Sequence, residues 1–84
     1  MTLPLQILKL LRVADGLLTP EEQLRSDLRL TVTPPPTGSE MSTAFNFLEE
    51  GPQPLAISVR DKLAHTVRWK ITDAGTAALS ERGI

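Results

Sequence analysis

The chain contains no cysteine, which excludes disulfides and thiolate metal sites together. That is compatible with a reducing cytoplasm, the compartment expected here. The one histidine, His65, cannot build a zinc site without several carboxylate partners, and in a loop between Ala64 and Thr66 it reads as a solvated side chain. Long apolar runs are missing, and the first residues carry no basic stretch followed by a long apolar one. Neither a membrane span nor a signal peptide is therefore expected. There is also no excess of charge of one sign: the formal net charge is −1 and the sequence pI about 5.7. A protein that coats nucleic acid through bulk electrostatics would be far more basic, so any such contact must use a local patch. No Gly-rich phosphate loop and no serine elbow occur. Glu21-Glu22 and Glu49-Glu50 are neighbours that helix capping or a solvated helix face explains. We expect no enzyme activity, cofactor, metal or small-molecule substrate.

What is present is organised around Leu55 to Leu79. In Leu55 to Arg60 the apolar Leu55, Ile57 and Val59 alternate with Ala56, Ser58 and Arg60. In Thr66 to Ile71, Val67, Trp69 and Ile71 alternate with Thr66, Arg68 and Lys70. This period of two, twice over, predicts a pair of strands. A five-residue loop, Asp61 to His65, sets Leu55 opposite Ile71, Ile57 opposite Trp69 and Val59 opposite Val67, which makes one face apolar. The other face then shows Ser58, Arg60, Thr66, Arg68 and Lys70 to water or to an anion. Thr72 or Asp73 can cap a short last helix that ends near Arg82 and stops at Gly83.

Upstream, Leu3, Ile7, Leu8, Leu11 and Ala14 fall at helical spacing and predict a first helix, capped by Thr2, tolerant of Pro4 in its first turn and stopped by Gly16 after Asp15. Thr19, Pro20 and Glu22 read as a capping box that opens a second helix. That helix carries Leu24 and Leu28 four apart, with Arg25 and Arg29 on a neighbouring stripe, and ends near Leu30. Pro34 to Pro36 cannot be helical and read as a spacer. Thr37 and Glu40 form another capping box, and Met41, Ala44, Phe45 and Leu48 draw the buried stripe of a third helix that Glu49-Glu50-Gly51-Pro52 ends. Phe47 lies beside that stripe, an apolar spot suited to self-association, and Leu5 and Leu10 raise the same question on the first helix. The expected fold is α+β, one domain over residues 1–84, in the order helix, helix, helix, strand, strand, helix. Its expected core is Leu8, Leu11, Leu24, Leu28, Phe45, Leu48, Ile57, Val67, Trp69 and Leu79.

The run Trp69-Lys70-Ile71-Thr72-Asp73-Ala74-Gly75, with Leu79 four residues on, closes a strand pair and begins a last helix. It resembles the corresponding motif of winged-helix (winged helix-turn-helix) proteins, small bacterial and phage regulators among them, and the order of elements extends the likeness over nearly the whole chain. The departure is Thr31 to Gly38, longer and richer in proline than the tight turn usual in that family between the second and third helices.

The resemblance implies a transcriptional regulator that binds duplex DNA, with the third helix in the major groove and the hairpin, or wing, on phosphates or the minor groove. The residues this points to are Ser39, Ser42, Thr43 and Asn46 on the third helix, and Arg60, Lys62, Arg68 and Lys70 on the wing. Between Ser58 and Lys70 those four cations outweigh Asp61, a local charge of +3, and Arg25 and Arg29 could add to it. A homodimer is one option. The rival reading is a winged-helix module that binds protein and not DNA: Glu40, Glu49 and Glu50 give the third helix −3 with no lysine or arginine between Gly38 and Glu50.

Overall fold

In a computed structural model of the chain, residues 3–14 and 16–83 are described. α1 spans Leu3–Val13, with Pro4, Ile7, Leu8 and Leu11 on its buried face. The cap expected from Thr2, and Asp15, lie outside the described residues. Gly16 takes the left-handed conformation (φ 81) that turns the chain away from the helix. β1, Thr19–Pro20, comes next, followed by α2 over Glu21–Thr31. α3 covers Gly38–Glu49, β2 Ala56–Asp61, β3 Thr66–Ile71 and α4 Asp73–Glu81. The chain is thus α+β, with four helices and a three-stranded antiparallel sheet in the order β1-β3-β2. No helix among the described residues is long and apolar enough to cross a membrane.

The expected order omits β1, and the capping box expected at Thr19 is not formed. Thr19 pairs with Trp69 and Pro20 with Arg68, so both stay extended and α2 starts one residue later, with Pro20 at its cap and no side-chain cap bond. Glu21 and Glu22 still place carboxylates in the positive first turn of that helix. The α3 box forms as expected: Thr37 Oγ1 accepts from the Glu40 amide at 3.1 Å, and Glu40 Oε1 from the Thr37 amide at 3.0 Å. Of the two candidate caps for α4, it is Thr72 whose hydroxyl accepts from the Gly75 amide, at 3.1 Å.

The core joins Ile7, Leu8 and Leu11 of α1, Leu24 and Leu28 of α2, Met41, Ala44, Phe45 and Leu48 of α3, Ala56 and Trp69 of the sheet and Leu79 of α4. Phe45 and Trp69 stack across it, ring centroids 4.9 Å apart. Leu5 and Leu10 pack partly buried against this cluster, and so does Val67, which was expected within it. Ile57 is not in it: Ala56 takes the place on β2 that Ile57 was expected to fill. The six residues 32–37 between α2 and α3 are more than a spacer, because Val32 packs on the core and Pro36 is buried while Pro34 and Pro35 are exposed.

The Thr72-Asp73-Ala74-Gly75 motif has a structural cause. The Thr72 amide donates to the Leu55 carbonyl (3.1 Å), its hydroxyl to the Pro54 carbonyl (2.6 Å), and the Leu55 amide to Leu48 at the end of α3 (2.8 Å). The first turn of α4 therefore lies directly on the entry to β2. A Cβ at Gly75 would stand 2.1 Å from the Leu55 carbonyl oxygen and 2.7 Å from Ile71 Cγ1, so only glycine fits.

Gly75→Ala is expected to cost about 1–3 kcal/mol although alanine is the better helix former. Gly38→Ala, which meets nothing within 4 Å, should leave thermal melting unchanged or raise it. Equal melting of the two variants would contradict the close contact. For the connection, Pro36→Gly should lower the melting temperature more than Pro34→Gly or Pro35→Gly, because it alone removes buried surface as well as chain stiffness.

Candidate nucleic-acid interface

The register of the hairpin decides which side chains the site can use. β2 and β3 are joined by the four residues 62–65, one fewer than expected. The Asp61 carboxylate holds the turn by accepting from the amides of Leu63 (3.0 Å) and Ala64 (3.2 Å), and His65 closes it in the left-handed region at φ 53. Ala56 then pairs with Ile71, Ser58 with Trp69 and Arg60 with Val67, while Ile57 faces Lys70 and Val59 faces Arg68.

A slip of one residue turns every side chain of a strand to the other face. The expectation that Arg60, Arg68 and Lys70 share one outward face is therefore overturned. Arg60 and Ser58 lie on the face of Trp69, toward the helices, and Arg68 and Lys70 lie on the opposite face beside Val59 and Ile57. Nor is either face wholly apolar. Lys62 stands exposed at the tip, next to Leu63.

The four polar residues expected on α3 also divide. Ser42 and Asn46, one turn apart, line a groove between α3 and the hairpin together with Arg25 and Arg60. Ser39 and Thr43 instead line a groove with Leu3, Pro4 and Phe47, between α1 and α3, and the Thr43 hydroxyl donates to the Ser39 carbonyl at 3.0 Å. The structure thus brings together Ser42, Asn46 and Arg60. It leaves Ser39, Thr43, Arg68 and Lys70 elsewhere.

The groove is floored by a network that sequence reading did not assemble. Trp69 Nε1 donates to Glu21 Oε1 at 2.9 Å, and Arg25 Nε to Glu21 Oε2 at 3.1 Å. Arg25 Nη2 donates in turn to Ser42 Oγ at 3.0 Å, with the guanidinium 5.5 Å from the centre of the Phe45 ring. Glu21 is thus neither a helix cap nor a bystander on a solvated face, and Arg25 is spent on an ion pair and adds no free cation to the basic patch. The i,i+4 spacing of Glu21 and Arg25 was the available signal; the bond to Trp69, 48 residues away, had none.

The acids of α3 are occupied as well. Glu40 closes the capping box, and Glu49 Oε2 accepts from the Ser58 amide at 3.0 Å and from the Ser58 hydroxyl, tying the outer edge of β2 to α3. The middle of α3 is neutral. Among the described residues Arg60, Lys62, Arg68 and Lys70 make no ion pair, and no group of three or more His, Asp or Glu could hold a metal ion. Comparison of the chain with family models, curated proteins and solved structures found no match.

Proposed function

We propose that this chain is a winged-helix DNA-binding protein, a regulator that docks the α3 side of its wing on duplex DNA. The observation that carries the reading is the convergence of Ser42 and Asn46 from α3 with Arg60 from β2 on one groove, with Lys62 beyond it at the tip. Hydroxyl and amide side chains on a helix suit base edges, and cations without ion-pair partners suit phosphates. The groove itself balances two acids, Glu21 and Glu49, against Arg25 and Arg60. It therefore suits neutral hydrogen bonding, while phosphate affinity falls to Arg60 and Lys62 at its outer rim.

A second reading, a module that binds protein and can self-associate, is favoured by Phe47. This residue is 45% exposed and borders two grooves, one with Leu3 and Pro4, the other with Pro52 and Leu55. The two readings separate on duplex DNA at low salt. Under the DNA reading the chain binds, and raising the salt releases it. Under the other it does not bind and its size grows with concentration.

The split of the wing sharpens the test. Arg60→Ala with Lys62→Ala should lower affinity for every duplex and reduce the log–log salt slope by about two, as expected for two phosphate contacts. Arg68→Ala with Lys70→Ala, on the far face, should change the slope by less than half as much. Equal losses from both pairs, measured by fluorescence anisotropy across a salt series, would contradict docking by the α3 side.

A further inference from the structure

We infer that Arg25 is a positioning residue that fixes Ser42 as a hydrogen-bond donor, so that α3 selects a base presenting an acceptor and rejects cytosine where Ser42 meets the groove edge. The inference rests on the DNA-binding reading and adds to it the chemistry of one contact. A serine hydroxyl offers one proton and two lone pairs, and left alone it would serve either polarity. Here one lone pair takes the Arg25 Nη2–H at 3.0 Å, and the guanidinium charge beside it repels any second N–H. The hydroxyl proton must point away from Arg25. It is not spent within the helix, since among the described residues Ser42 donates to no backbone carbonyl, whereas Thr43 does so to Ser39 and Thr31 to Asp27.

Arg25 is held for this task from behind. Its Nε is bound to Glu21, Glu21 is bound to the indole of the buried Trp69, and its plane lies over Phe45. The chain from Trp69 to Ser42 thus crosses from β3 through α2 to α3, and each link restricts the next. In the major groove guanine offers N7 and O6, adenine N7 and thymine O4 as acceptors, whereas cytosine offers only its amino donor. Asn46, one turn on from Ser42, has no side-chain partner among the described residues and keeps both polarities.

The test selects duplexes from a randomised library with the parent, with Ser42→Ala and with Glu21→Gln/Arg25→Met, a pair that preserves net charge. The parent should show one position from which cytosine is excluded, and both variants should relax that position alone, with the salt slope of the parent. An analogue lacking the acceptor there, 7-deazaadenine for adenine, whose N7 is its one major-groove acceptor, should weaken parent binding roughly threefold to tenfold and leave Ser42→Ala unaffected. This last measurement needs only the parent and Ser42→Ala, and so stands even if the double variant fails to fold. Retention of the cytosine exclusion in a folded Glu21→Gln/Arg25→Met variant overturns the role of Arg25, and indifference of the parent to the analogue overturns the donor assignment. A parent that retains no duplex at low salt overturns the DNA-binding reading itself, a result distinct from either.

Discussion

Ser58 opposite Trp69 is the pairing on which the rest of the molecule depends. It sets Ser58 and Arg60 on the face where the Trp69 indole meets α2, and there Glu21 receives the indole N–H and holds Arg25. It also brings the Ser58 amide to Glu49, which fastens β2 to the end of α3, and it turns Arg60 toward the groove that Ser42 and Asn46 line. Both ends of the hairpin hold this register. At the base, Thr72 and the bare backbone of Gly75 lock onto Leu55; at the tip, Asp61 binds two loop amides and His65 accepts a left-handed backbone. Moving the register by one would break the contact with Leu55 and invert every β2 side chain.

The electrostatic argument is local by necessity. With a net charge of −1 the whole molecule offers DNA no long-range attraction. At physiological salt, charges more than about 8 Å apart in solvent are largely screened from each other. The exposed Glu50 at the far end of α3 therefore counts for little at the wing tip, and what matters is which charges near the groove are already spent. Glu21 and Arg25 are, in their ion pair, while Glu49 keeps its charge and accepts only from the neutral amide and hydroxyl of Ser58. Among the described residues Arg60 and Lys62 make no ion pair.

Much of the architecture was legible in the sequence. The first three helices followed from apolar spacing and capping signatures and the fourth from its cap and the stop at Gly83, and the α3 box and the cap at Thr72 or Asp73 from short polar signatures whose bonding partners lie within three residues. What failed to read out depended on partners far along the chain. The alternation of Leu55, Ile57 and Val59 argued for the register with the most apolar face, but the contact of Gly75 with Leu55 sets the alignment and gives the buried place to Ala56. Thr19-Pro20 fitted a helix cap as well as a strand, and only pairing with β3 distinguishes them. At the site, the resemblance to winged-helix proteins pointed to the residues on α3 and the wing, but which of them meet was decided by the register. The indole of Trp69 was placed in the core from its parity alone, and its bond to Glu21 gives that burial a purpose sequence could not supply.

The most direct test of the account is a nuclear magnetic resonance titration of the labelled chain with a short duplex at low salt. Shifts concentrated at Ser42, Asn46, Arg60 and Lys62, and reversed by added salt, are the predicted result. Shifts confined to Ile57, Arg68 and Lys70, or to Phe47 and its two grooves, would contradict it.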